Sequence, residues 1–141
     1  MSGSKSLVLD ANILIRAVFG IRVRALLNKY EDTAAFYCPD ICLEDARRNI
    51  GAIAERQRVS VVAAQEFLEE LALIVETVDH RLYSVHEASA RSRIASRDVT
   101  DWPIVATALL LDCPIWTEDR IFFGSGVATW TTANIGLYLK G

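Results

Sequence analysis

The chain has 141 residues, 52% hydrophobic and 23% charged, which is enough apolar material for a single packed domain. Basic residues number 15 against 18 acidic ones, and the net charge of −3 excludes bulk basicity as a means of holding nucleic acid while leaving a local basic face open. Three cysteines, Cys38, Cys42 and Cys113, contain no CxxC pair, so neither a disulfide framework nor a zinc site is expected; they read as small buried residues in a reducing setting.

Residues 1–4 read as a disordered start or a leftover of cloning, and residues 5–141 as one domain. The apolar run Leu7–Leu9 is too short for a signal peptide, and no run approaches the ~20 residues of a membrane span, so a cytoplasmic, non-membrane protein is expected. Ser6 to Asp10 has the pattern of a buried parallel strand. A short helix with Ile13, Leu14, Ile15, Ala17, Val18 and Phe19 follows and stops near Gly20. Arg22 to Tyr30 carries Val23, Leu26 and Leu27 at helical spacing, with Arg22, Arg24 and Lys29 elsewhere on its surface.

Ala34 to Cys38 is a second strand and Ile41 to Arg56 a helix, with Leu43, Ala46, Ile50 and Ile53 inward. Ser60 caps a helix running to Leu71. Ile74 to Val78, rich in β-branched residues, is a third strand. One helix is expected over Ser84–Ala95, another over Asp101–Leu111, then strands at Ile115–Thr117 and Ala128–Thr132 and a short tail at Ile135–Leu139. Strands alternating with helices predict a three-layer α/β/α sandwich with a mostly parallel sheet of about five strands.

The informative feature is where the acids fall. Asp10 ends the first strand, Glu44 and Asp45 begin the helix after the second, Asp98 and Asp101 open a helix as an i, i+3 pair, and Glu118 and Asp119 end the fourth strand. Each has an ordinary reading, as a helix cap or a solvated helix-start acid favoured by the dipole. Asp45 fits that ordinary role better than Glu44 does. Side-chain alternation puts one of the Glu118–Asp119 pair inward, and Asp119 is preferred because Glu118 can extend into solvent. Several carboxylates at the carboxyl edge of a parallel sheet repel unless a cation neutralises them. Oxygen-only donors suit Mg²⁺ or Mn²⁺, and such an ion serves phosphate chemistry.

Three stretches together, LVLDANILIRAV, the helix bearing Glu44, and RDVTDWPIVATALLLDCPIWTEDRIF, resemble a PIN domain, the compact metal-dependent ribonuclease fold best known from VapC-like toxins of bacterial toxin–antitoxin pairs. The resemblance runs from Leu7 to about Thr132. It implies that Asp10, Glu44, Asp101 and Asp119 are the catalytic, metal-ligating acids, with Asp98 at an acidic position just before the third, and that Asn12 and Thr117 border the site. It also implies hydrolysis of an RNA phosphodiester by a metal-activated water, leaving a 3′-hydroxyl and a 5′-phosphate. A small antitoxin that blocks the acidic groove and a homodimer are further expectations of the same resemblance.

Arg16 and Arg47, near these acids in sequence, are the arginines expected to border the phosphate, while His80 and His86 read as ordinary histidines away from the acidic edge. Trp116 is expected to pack and Trp102 to be more exposed. A haloacid-dehalogenase-type phosphatase would need a second aspartate where Asn12 stands, and a receiver domain would need an acceptor aspartate ending the third strand and a matching later lysine. The remaining alternative is a PIN-like module that binds RNA or protein without cutting.

Overall fold

The computed structural model describes residues 5–94 and 101–140. Five parallel strands, β1 (Lys5–Leu9), β2 (Ala34–Pro39), β3 (Val75–Val78), β4 (Ile115–Trp116) and β5 (Thr129–Trp130), form one sheet in the order β3-β2-β1-β4-β5. The chain steps outward from β1 to β3, then crosses back over the sheet to place β4 against the other side of β1. That reversal leaves a crevice at the carboxyl ends of β1 and β4, where open α/β sheets bind their ligands. Register fixes the crevice: Val8 pairs with Ile115 and Leu9 with Trp116, so Asp10 and Thr117 emerge side by side.

The helices are α1 (Ala11–Phe19), α2 (Arg22–Tyr30), α3 (Asp40–Arg56), α4 (Val61–Leu71), α5 (His80–Tyr83), α6 (Glu87–Arg93), α7 (Trp102–Leu111) and α8 (Ile135–Lys140). α1, α3 and α4 pack on one another, and α5 and α6 pack on α7, which lies on β1 and β2. Right-handed crossovers require these two groups to cover opposite faces of the sheet. The three apolar residues of β1 are fully buried between them, as are Ile115 and Trp116. α7 shows why its sequence is apolar all round: Trp102 through Ala108 are every one buried. No helix among the described residues is long and apolar enough to cross a membrane.

Several expectations need correction. The single helix expected over Ser84–Ala95 is instead α5, a 3₁₀ turn at Ser84–His86 and then α6. Asp79 starts this run earlier by accepting the Arg81 N–H at 2.8 Å, and the chain leaves helical geometry at Ile94, with φ −125° and ψ 143°. Ala95 lies outside the described residues. The last strand is only Thr129–Trp130, because the chain turns after it, with Asn134 and Ile135 both donating to the Thr131 carbonyl. The expected tail is α8, tied back to the sheet where the Tyr138 hydroxyl donates to the Ser6 carbonyl at 3.1 Å. Cys38 and Cys42 are buried as expected, whereas Cys113 is partly exposed.

Candidate active site

Asp10 is the N-cap of α1, as the plain reading expects, and its Oδ1 accepts the Ile13 N–H at 3.0 Å. Its Oδ2 accepts the Thr117 hydroxyl at 2.5 Å from the end of β4. The Thr117 oxygen in turn accepts the Asp119 N–H at 3.0 Å, and Asp119 Oδ1 caps the following turn by accepting from Ile121. Thr117 is fully buried and Asp10 nearly so. Capping therefore employs both Asp10 oxygens without supplying a positive charge. Burial pushes its pKa up from 3.8 to about 6; the Thr117 and Ile13 hydrogen bonds oppose this, and the Asp119 and Glu118 charges add to it.

A cavity of about 70 Å³ opens beside this carboxylate, and its walls include Asp10, Asn12, Cys42, Asp45, Asp101 and Asp119. Three of the four predicted acids, Asp10, Asp101 and Asp119, are thus brought to one place. Among the described residues four carboxylates line the cavity, Asp10, Asp45, Asp101 and Asp119. Asp45 also meets Arg48 on its outer side, at 3.2 Å. Larger concavities occur elsewhere among the described residues, one of about 470 Å³, but it lacks this concentration of acids.

Glu44 does not join the cavity. It is exposed, and its neighbour Asp45 lines the wall instead. The reason is helical phase. α3 turns ~100° per residue, so Asp45 shares a face with Cys42 three residues before it, while Glu44 is rotated outward. Arg47 is also elsewhere engaged, its guanidinium meeting the Glu69 carboxylate in a two-pronged bond at 2.8 and 2.7 Å. Arg16 does border the acids, lining a surface concavity with Asn12, Glu118 and Asp119. Glu118 is not free in solvent; its Oε2 accepts the Thr132 N–H at 2.7 Å and braces β4 against β5. Asp98 and Thr100 lie outside the described residues.

Sequence reasoning also missed how Asp101 is placed. Trp102, expected to be exposed, is 6% exposed, and its ring meets those of His80 and Tyr83 at 6.2 and 5.7 Å with Arg91 over its face. This wedge fixes the first turn of α7 and hence the residue before it. His80 is therefore closer to the acidic edge than expected, though as packing: its backbone N–H donates to Asp40, which also accepts the Tyr83 hydroxyl at 2.9 Å. The spacing His80-x-x-Tyr83 was the available signal, since residues three apart share a helix face.

Among the described residues no three His, Cys, Asp or Glu side chains close on one point as a ligand group. The donor set in the described wall is nonetheless hard oxygen and negative, which fits a Mg²⁺-like ion that keeps most of its waters and touches few carboxylates directly.

The model of the family described as PIN domain matches residues 8–140. The chain belongs to the PIN domain family. This PIN domain shares its fold with a VapBC2 structure from Rickettsia felis, bound to a DNA fragment from its promoter, with a TM-score of 0.71 and 13% identity over 89% of this chain and 98% of that one. A toxin–antitoxin complex from Klebsiella pneumoniae gives 0.65 and 16%, covering 89% and 97%. FitAcB from Neisseria gonorrhoeae gives 0.58 and 20%, covering 90% and 98%. No curated protein matches the chain.

Proposed function

We propose that this PIN domain is a divalent-metal-dependent endoribonuclease hydrolysing RNA phosphodiesters in the cytoplasm, and that it is the toxin of a toxin–antitoxin pair. The observation that carries the reading is the cavity whose described wall brings four carboxylates, Asp10, Asp45, Asp101 and Asp119, to one place. Mg²⁺ or Mn²⁺ is the cofactor, held by Asp10, Asp101, Asp119 and Asp45. The ion supplies Lewis-acid polarisation of the scissile phosphate and a lowered pKa for the attacking water.

The chain's own groups do the rest. Thr117 holds the Asp10 carboxylate in one orientation, so the charge faces the cavity without rotating. Asp119 is fixed from both sides, by Thr117 through its N–H and by Ile121 through its carboxylate, and lines the same cavity as Asp45. A carboxylate in this wall that is not engaged by the ion can accept the proton of the attacking water. Asn12, exposed at the cavity mouth, offers an amide to a phosphate oxygen. The Klebsiella pneumoniae neighbour, a toxin–antitoxin complex, supports a small antitoxin as partner here.

A PIN-like module that binds without cutting is favoured by the absence, among the described residues, of a closed ligand cluster. One assay separates the two. Labelled single-stranded RNA is incubated with Mn²⁺, with Mg²⁺ and with EDTA; cutting that needs the ion and disappears in Asp10→Asn and Asp101→Asn supports the nuclease. RNA binding without cutting under any divalent ion favours the module.

A further inference from the structure

We infer that a trough running from the carboxylate cavity along α1 and α2 holds the single-stranded RNA flanking the cut phosphate, with Arg16, Arg22 and Lys29 as its phosphate contacts. The inference rests on the nuclease reading and extends it beyond the acids. Three concavities share walls in sequence. The first, about 310 Å³, adjoins the acid cavity through Asn12 and Asp119 and carries Arg16. Arg16 and Glu118 are common to it and to the trough of about 470 Å³ that reaches Arg22. Arg22 and Thr132 then pass to a third, about 310 Å³, that ends at Lys29. A cation therefore recurs along the path at residues 16, 22 and 29, the last two separated by two turns of α2, or about 10 Å.

These cations differ from most others in the chain. Arg24 donates to the Ala17 and Val18 carbonyls and lies over Phe67. Arg47, Arg81 and Arg91 are paired with Glu69, Asp79 and Glu87, and Arg93 donates to the Ser125 carbonyl. Among the described residues Arg16 and Arg22 make no ion pair or side-chain hydrogen bond, and Lys29 meets only the Tyr30 ring, at 5.3 Å. A protein of net charge −3 that handles RNA needs such a local stripe, because its overall field repels the substrate.

Beyond Asp119 at the cavity end, the trough's acid is Glu118, which turns its carboxylate to the Thr132 N–H and so presents less of its charge to a passing phosphate. Phe19, half-buried in the same wall, offers a ring face on which any base can stack. Apolar residues alone would suit a protein segment equally. Regularly placed cations leading to a metal-binding mouth favour a polyanion.

The test uses the full chain and a labelled single-stranded RNA of about ten nucleotides. Binding is followed by fluorescence anisotropy in EDTA between 50 and 200 mM salt, and cutting is followed in Mn²⁺. Three contacts at a slope of about 0.7 each predict an affinity loss of about 18-fold across that salt range. Arg22→Ala/Lys29→Ala reduces this to about threefold and raises KM with kcat held within about twofold. Arg81→Ala, on the far side, changes neither, and circular dichroism confirms that the helices persist.

The inference is overturned if the double variant keeps the wild-type salt slope and KM, or if wild type shows no salt-dependent binding. It is also overturned if the variant loses only a protein partner while handling RNA as before. A slope that falls in the variant when no RNA is cut by wild type upholds the trough and refutes the nuclease, so the two failures are distinguishable.

Discussion

Replacing Asp10 by asparagine should stabilise the metal-free protein at alkaline pH, although it removes a helix cap and a metal ligand. Burial raises the folded pKa of Asp10 to about 6, against 3.8 for the unfolded chain. Because the folded value is the higher, the native state binds the proton more tightly. The stabilisation this gives is complete below about pH 4 and lost as pH rises through 6. About two units at 1.36 kcal/mol each amount to about 3 kcal/mol withdrawn from the wild type by pH 8. Asparagine does not titrate, and its oxygen can still accept the Ile13 N–H. Its amide can donate to the Thr117 oxygen, which has lone pairs for both that bond and the Asp119 N–H.

Urea unfolding in EDTA should therefore find Asp10→Asn more stable than wild type at pH 8 by about 1–3 kcal/mol, with the advantage falling by about half at pH 5. Mn²⁺ at pH 8 should raise the wild-type midpoint and leave the variant nearly unchanged, because only the native carboxylate binds the ion. A variant destabilised equally at both pH values would refute the reasoning, since Asp10 would then be a cap whose charge carries no penalty.

Two further expectations follow from the same geometry. Thr117→Val leaves the buried Asp10 oxygen and the Asp119 N–H without a partner, and should lower stability by about 1–3 kcal/mol and cut the cleavage rate at least tenfold; thermal melts and an RNA-cutting time course check both. Asp45→Asn should lower cutting at least tenfold, whereas Glu44→Gln should leave it within about twofold, measured side by side in Mn²⁺; the reverse order would return the role to Glu44.

What could be read in advance divides along a physical line. The strands β1 and β4 and the helices α2 and α4 were legible because their apolar residues are spaced as their burial demands, and Ser60 caps α4 by accepting the Ala63 N–H. The convergence of Asp10 and Asp119 followed from strand-end position and that of Asp101 from its place at the start of α7, which topology converts into proximity. Choosing between Glu44 and Asp45 needed the rotation of α3 to within one residue, and both neighbours are acidic, so composition offered no vote. Arg47 was misread because its partner Glu69 sits on α4, 22 residues away. The break between α5 and α6 carries no proline or glycine and is set by packing against α7, which a local pattern does not record.

The strand order has a consequence for synthesis. Asp10 leaves the ribosome early, whereas the hydroxyl and carboxylate that complete its surroundings arrive with residues 117–119, after the whole return crossover. Until Thr117 and Asp119 dock, Asp10 stands without the hydroxyl that holds its carboxylate. On the proposed nuclease reading, cutting has to wait until β4 and the residues after it have docked beside β1.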